Sequence, residues 1–164
     1  MPILAPNSFE VISRSPDHTR RFGMRLGGML RTGDVIGLTG DLGAGKTILV
    51  QGIASGWGSP DGASSPTFVL VNVYRRPDAD CLYHLDAYRL SGPEEALDLD
   101  VDAMIEKGPL VVEWAERITA ALPSEALWIK LNWIDEFHRD LLILAHGKRY
   151  LSMLVTLRKE IYKS

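Results

Sequence analysis

Gly40-Asp41-Leu42-Gly43-Ala44-Gly45-Lys46-Thr47 is the stretch on which the reading of the fold turns. It follows the spacing G-x-x-x-x-G-K-[ST], in which a glycine-rich turn leaves a strand and opens a helix. Each part has a physical reason. Glycine reaches positive φ and lets the backbone come close to a phosphate. Successive backbone N–H groups at a helix N-terminus form a nest for anionic oxygens. Lys46 brings a positive charge to the β- and γ-phosphates, and the Thr47 hydroxyl is a hard oxygen ligand for Mg2+. A chance match in a chain of this length is on the order of one per cent or less. The flanks agree with the pattern. Val35-Ile36-Gly37-Leu38-Thr39 reads as a short buried strand. From Lys46 or Thr47 to about Ser55 the chain reads as a helix, ended by Gly56 and Gly58-Ser59-Pro60.

Working outward, Phe9 and Val11 alternate with polar neighbours as in an edge strand. Ser15-Pro16-Asp17 opens a helix, with Phe22, Leu26, Met29 and Leu30 on one face and a turn at Thr32-Gly33-Asp34. Phe68 to Tyr74 and Cys81 to Leu85 read as a hairpin. Ser91-Gly92-Pro93-Glu94 has the form of a capping box, and a second short helix covers Val101 to Lys107 before Gly108. Leu110-Val111-Val112 is a buried strand ending in Glu113, and Leu127, Ile129, Leu131 and Trp133 alternate onto one face of a later strand. Leu141 to Ala145 is apolar throughout, and Tyr150, Leu154, Leu157 and Ile161 recur at helical spacing. The expected fold is α/β, a P-loop NTPase-like mixed parallel/antiparallel sheet flanked by helices. One domain over residues 1–164 is expected, with a core at about 8–147 and a C-terminal helix at about 148–163.

Composition narrows the class. The 164 residues are 46% hydrophobic and 24% charged with a formal net charge of −3, as in an ordinary soluble globular domain. Such a chain buries about 70% of its unfolded surface. Cys81 is the single cysteine, which excludes an intrachain disulfide scaffold and a cysteine-rich zinc site. No apolar run reaches the ~18 residues of a membrane-spanning helix. Residues 1–6 lack the layout of a signal peptide, so the cytoplasm is the expected compartment. The small net charge gives no global field for nucleic acid or membrane. It conceals an uneven distribution. Residues 78–106 hold nine acids against Arg89 alone, which reads as a solvated face or a docking surface for a basic protein. Lys148, Arg149, Arg158, Lys159 and Lys163 gather at the other end, as a solvated helix face or an RNA contact. Asp98-Leu99-Asp100-Val101-Asp102 starts like a calcium loop but fails, with Ala103 and Pro109 where Gly and Glu are needed.

A P-loop needs an acid at the end of a second buried strand to hold Mg2+ or its waters. Glu113 and Asp86 are both candidates, and the strand before Glu113 is the more uniformly apolar. Ser64-Ser65-Pro66-Thr67-Phe68 is either an ordinary Ser/Pro turn or a loop whose hydroxyls sense a γ-phosphate. His84, Asp86 and Tyr88 share a strand face with Arg89 beside them, as a general base with its partner or as structural hydrogen bonds. Trp114 reads as a core aromatic or a site residue.

Four blocks in this order and spacing resemble the TsaE (YjeE) family: Gly40 to Thr47, Ser65-Pro66-Thr67-Phe68, His84-Leu85-Asp86-Ala87-Tyr88-Arg89-Leu90, and Val112-Glu113-Trp114-Ala115-Glu116-Arg117. These are bacterial P-loop ATPases needed for the threonylcarbamoyladenosine modification of tRNA beside the anticodon. The resemblance covers about residues 8–147 and leaves the final helix unmatched. It implies ATP and Mg2+ as cofactors, with Asp41, Leu42, Gly43, Ala44, Gly45, Lys46, Thr47 and Ile48 around the phosphates. It implies Thr47 and Glu113 on the metal, and Lys46, Asp86 and Glu113 as catalytic residues. Ser65 and Thr67 become a switch-like loop, Trp114 a site residue, and Thr19 a neighbour of the nucleotide base. Ile48 stands where the family often has a second threonine. Family members hydrolyse ATP weakly alone and act with the TsaB and TsaD proteins. The resemblance thus implies those partners, tRNA reached through the complex, and neither DNA nor membrane.

Two enzymatic rivals fit less well. A small-molecule kinase needs an acceptor pocket and an arginine-rich lid, and no lid segment is evident. A GTPase shows N-K-x-D, which is absent. A nucleotide-gated assembly protein without turnover shares the same site.

Overall fold

A computed structural model of the chain describes residues 6–41, 43, 45–60 and 71–163. In order it has β1 (Ser8–Ser13), α1 (Pro16–Gly27), β2 (Val35–Gly40), α2 (Lys46–Trp57), β3 (Val71–Arg75) and β4 (Cys81–Asp86). There follow α3 (Pro93–Asp98), α4 (Val101–Lys107), β5 (Leu110–Glu113), a 3₁₀ segment (Ala115–Ala121), β6 (Ala126–Trp133), β7 (Arg139–His146) and α5 (Lys148–Lys163).

The strands form one seven-stranded sheet in the order β1-β7-β6-β2-β5-β4-β3. β6-β2-β5-β4 run parallel, while β3 and the pair β7 and β1 add antiparallel strands at the two sides. The mixed sheet expected from the sequence is therefore the one observed. β2 is apolar because both its faces are covered. Ile36 and Leu38 pack with Leu49, Ile53, Ile129 and Leu154 in one core, and Val35 packs with Leu110, Val112 and Ile118 in the other. α1, α2 and α5 contribute to the first core; α3, α4 and the 3₁₀ segment contribute to the second.

α1 starts as read: Ser15 caps it by accepting from the His18 amide at 3.0 Å, Pro16 occupies the first turn, and Asp17 faces the positive end. It packs on α2 backbone to backbone. A Cβ at Gly27 would collide with the Ile53 carbonyl oxygen, and one at Gly52 with that of Arg20.

Four local expectations change. α2 runs through Gly56 to Trp57 and stops only at Gly58, whose φ of 112° closes the helix. Gly56 stays helical because its bare Cα lets α1 approach. α1 ends at Gly27, so Met29 and Leu30 reach the core from the turn that follows. α3 begins one residue later than a Ser91 cap requires, and the Ser91 hydroxyl bonds the Glu95 carboxylate at 2.5 Å. Trp133 is 58% exposed, because β6 has run past the helical layer there. Phe68 lies outside the described residues, and so do Ser65 and Thr67.

α5 belongs to the core. Tyr150, Met153, Leu154 and Leu157 are buried in it. Arg149 forms a two-pronged pair with Asp34 at 2.9 and 3.1 Å and donates to the Met29 carbonyl at 2.6 Å. The Val35 amide donates to the Tyr150 hydroxyl at 2.9 Å. Arg158 donates to the Ser8 carbonyl and lies over Phe9. Two of the five C-terminal cations are thus structural. Among the described residues, no helix is long and apolar enough to cross a membrane.

Candidate functional site

The ends of β2, β4 and β5 meet at one edge of the sheet. Leu38 pairs with Glu113, and Asp86 pairs with Glu113 on the other side. Side chains alternate across a strand, so Val111 and Glu113 share the face beneath α2, as Leu82, His84 and Asp86 do. The turn after β2 closes over this edge and opens α2.

That turn has the conformation its glycines permit. φ is 134° at Gly40, 81° at Gly43 and 99° at Gly45. At Gly40 a Cβ would also strike the Leu131 backbone, so no other residue serves there. Gly45 is the α2 N-cap, with no side-chain cap and no acid in the first turn. The first amides of α2 therefore face the cleft with only the helix dipole to define their partner, which suits an anion. Leu42 and Ala44 lie outside the described residues.

Lys46 folds back over the turn. Its Nζ donates to the Gly40 carbonyl at 2.6 Å and to that of Asp41 at 2.9 Å, and it lies 4.2 Å from the centre of the Trp114 ring. Burial pushes the Lys46 pKa down, and the Glu113, Glu116, Asp41 and Asp86 carboxylates pull the other way. Lys46, Thr47, Ile48, Asp86, Glu113 and Trp114, with Gly43, Gly45 and Tyr88, line one cleft of about 370 Å³.

Glu113 is almost fully buried. Its Oε2 lies 2.5 Å from His84 Nε2, and His84 Nδ1 lies 3.0 Å from the Tyr74 hydroxyl. Asp86 is half-buried and accepts from the Tyr88 amide at 2.9 Å. Burial raises its pKa first; the Tyr88 bond lowers it, and the Glu113 charge raises it again. Trp114 holds a left-handed φ of 57°, rare for a bulky side chain, and its ring meets that of Tyr88 at 4.9 Å.

This donor set fits magnesium and a polyphosphate. Thr47 and Glu113 offer hard oxygens, and Mg2+ is usually held by one or two carboxylates together with substrate phosphates. Among the described residues no three His, Cys, Asp or Glu side chains gather to hold an ion by themselves. Phosphate oxygens above the α2 amides would complete such a shell.

Thr19 stands apart from the lined cleft. It is buried, and its hydroxyl bonds that of Ser13 at 2.6 Å. Ser13 pairs in register with Arg139, and Arg139 with Trp133, at the same edge of the sheet as Gly40. Arg139 Nε is buried without a hydrogen-bond partner among the described residues. Tyr74 is a site neighbour that sequence reading missed: its link to His84 rests on strand register, which local pattern does not supply.

A sequence model of the family described as threonylcarbamoyl adenosine biosynthesis protein TsaE matches residues 13–141. The chain is 37% identical over 133 residues to the tRNA threonylcarbamoyladenosine biosynthesis protein TsaE of Treponema pallidum, covering 80% of this chain and 97% of that one. It is 42% identical over 115 residues to the protein of the same name in Streptomyces coelicolor, covering 69% and 78%. Among solved structures it is similar to Bacillus subtilis YdiB, with a TM-score of 0.75 and 30% identity over 93% of this chain and 95% of that one.

Proposed function

Because the chain belongs to the TsaE family of tRNA threonylcarbamoyladenosine biosynthesis, we propose that it binds Mg-ATP in the cleft above β2 and β5 and hydrolyses it slowly. In this reading it acts in the cytoplasm as the ATPase subunit of a complex with TsaB and TsaD. The tRNA is reached through that complex, and the carbamoyl transfer belongs to another subunit.

One observation carries the reading. An uncapped helix N-terminus, the positive-φ glycines Gly43 and Gly45, and Lys46 share a cleft with two carboxylates on neighbouring strands. The α2 amides and Lys46 hold the β- and γ-phosphates and stabilise the charge that develops on the transferred group. Thr47 and Glu113 would hold Mg2+, which supplies charge neutralisation across the phosphates when bound. Asp86, half-buried and oriented by the Tyr88 amide, positions the attacking water in line with the γ-phosphate. Trp114 and Tyr88 wall the cleft. Ser65 and Thr67 are assigned to sensing the γ-phosphate, and Thr19 to the base end, on family resemblance. Two strand ends and a turn account for the catalytic set.

The test is phosphate release from Mg-ATP by the chain alone, with TsaB and TsaD, and with tRNA added. A slow basal rate that rises with the partners is expected. A rate indifferent to them, or transfer of the phosphate to a small metabolite in their absence, overturns the proposal.

A further inference from the structure

His84 is a buried polar side chain to which the reaction above gives no part. It is fully buried on β4, facing the layer that α2 covers. A histidine there must satisfy both ring nitrogens within the protein. It does so between Tyr74 on β3 and Glu113 on β5. The Tyr74 ring stacks on the imidazole with centroids 5.9 Å apart and planes at 27°. Asn72 Nδ2 lies 3.4 Å from the Tyr74 hydroxyl.

The contacts are satisfied by donation running from β3 to β5. The Asn72 amide donates to Tyr74, the Tyr74 hydroxyl donates to His84 Nδ1, and His84 Nε2–H donates to Glu113 Oε2. In that arrangement Nε2 carries the proton that faces Glu113, and the carboxylate is gripped through one oxygen. The other oxygen, Oε1, is left for the cleft that Glu113 lines. A glutamate has three rotatable bonds, and on a strand end beside an open cleft it would otherwise sample several orientations. The arrangement matches the general rule that ligating side chains are themselves oriented by hydrogen bonds from a surrounding shell.

We propose that His84, locked by Tyr74, is a positioning residue that aims Glu113 at the magnesium ion; this rests on the Mg-ATP reading given above. His84 touches neither phosphate nor metal. It acts by fixing which carboxylate oxygen is presented and in what direction.

The test separates metal binding from nucleotide binding. ADP is titrated into the chain of residues 1–164 in EDTA, and Mn2+ is then titrated into the ADP-saturated protein, with free Mn2+ read by electron paramagnetic resonance. His84→Asn is too short to reach Glu113; His84→Gln keeps an N–H donor at about the position of Nε2. Asparagine is expected to leave ADP affinity in EDTA unchanged and to lower Mn2+ affinity about 10- to 100-fold. Glutamine is expected to recover most of that loss. Tyr74→Phe keeps the stacked ring, removes the lock on the tautomer, and is expected to lose several-fold in Mn2+ affinity. Unchanged Mn2+ affinity in His84→Asn overturns the proposal, as does an equal loss in His84→Gln. If His84→Asn does not fold, Tyr74→Phe decides, and metal affinity equal to that of the unaltered chain overturns the proposal. Failure of the unaltered chain to bind ADP overturns the nucleotide reading itself, an outcome distinct from ADP and Mn2+ binding that ignores His84.

Discussion

Replacing Lys46 with methionine separates what this side chain does for the fold from what it does for a ligand. In the present structure its ammonium makes two hydrogen bonds to the Gly40 and Asp41 carbonyls. The same group is depressed in pKa by burial, so removing its charge relieves desolvation as it removes those bonds. The two carbonyls stand at the mouth of the cleft, within reach of water. The net change in unfolding free energy is expected to be within about 1 kcal/mol. A bound nucleotide is affected differently. Lys46 would exchange two neutral carbonyl acceptors for charged phosphate oxygens, and hydrogen bonds to a charged group span about 1.5–3 kcal/mol. Moving two bonds from the bottom of that range to the top is worth about 3 kcal/mol, or roughly a hundredfold in affinity. Urea denaturation gives the first quantity and calorimetric titration with Mg-ATP the second. Unchanged ATP affinity in a variant of unchanged stability refutes the phosphate assignment. A stability loss of several kcal/mol refutes the claim that Lys46 is poised for a ligand.

Asp86→Asn is expected to stabilise the nucleotide-free chain while abolishing most phosphate release. The Asp86 pKa is raised above the usual 3.8, so its ionisation works against the fold as pH rises through the raised value. The gain is present at neutral pH and vanishes below pH 3.8, and solvent screening at this half-exposed group holds it under about 1 kcal/mol; a variant less stable than the parent at pH 7 contradicts this. Arg149→Ala leaves the buried Asp34 carboxylate without its guanidinium and is expected to cost about 3 kcal/mol in urea unfolding, with nucleotide binding intact. Gly52→Ala sets two effects against each other: alanine favours an isolated helix by about 1 kcal/mol, but here its Cβ runs into the Arg20 carbonyl oxygen. The clash is expected to win and lower Tm, and a rise in Tm would mean that α1 and α2 are not in backbone contact.

The parallel centre of the sheet was legible because local sequence and tertiary environment agree there. Val35–Gly40 and Leu110–Glu113 are apolar since both faces are covered, and the glycine-rich turn after the first announces a ligand. Ser15-Pro16-Asp17 declares a helix start by hydrogen-bonding chemistry alone. What escaped needed partners distant in sequence. Gly56 reads as a stop signal, yet it continues the helix because Met24 on α1 lies against it. Trp133 fits the alternation of β6, yet it is exposed because the helical layer ends first. The likeness to the family stopped short of the last helix, yet Arg149 and Tyr150 tie α5 to Asp34 and Val35 at the start of β2. From sequence His84 groups with Asp86 and Tyr88, and Glu113 stands as a separate strand-end acid. The pairing of His84 with Glu113 follows from β4 and β5 lying side by side, which is a property of strand order.

Of the three non-glycine residues with positive φ among those described, Ala79, Asp100 and Trp114, the last falls at the site. Trp114 follows β5 with a left-handed backbone, a conformation that costs of order 1–3 kcal/mol. The surroundings over-determine it. Arg117 lies over the Tyr88 ring at 5.2 Å, Tyr88 meets Trp114 at 4.9 Å, and the Lys46 ammonium lies over Trp114 at 4.2 Å. A cation–π contact contributes about 0.5–2 kcal/mol and an aromatic pair about 0.5–1.5 kcal/mol. Such a stack, two rings between two cations, offsets the strain of one reversed φ. It also joins the three segments that matter: the turn after β4, the exit of β5 and the first residue of α2. A Trp114 with ordinary helical or extended φ would aim its ring elsewhere and leave Lys46 without this wall. The left-handed turn is therefore part of how the cleft is built, and the strain is held where the ring contacts converge.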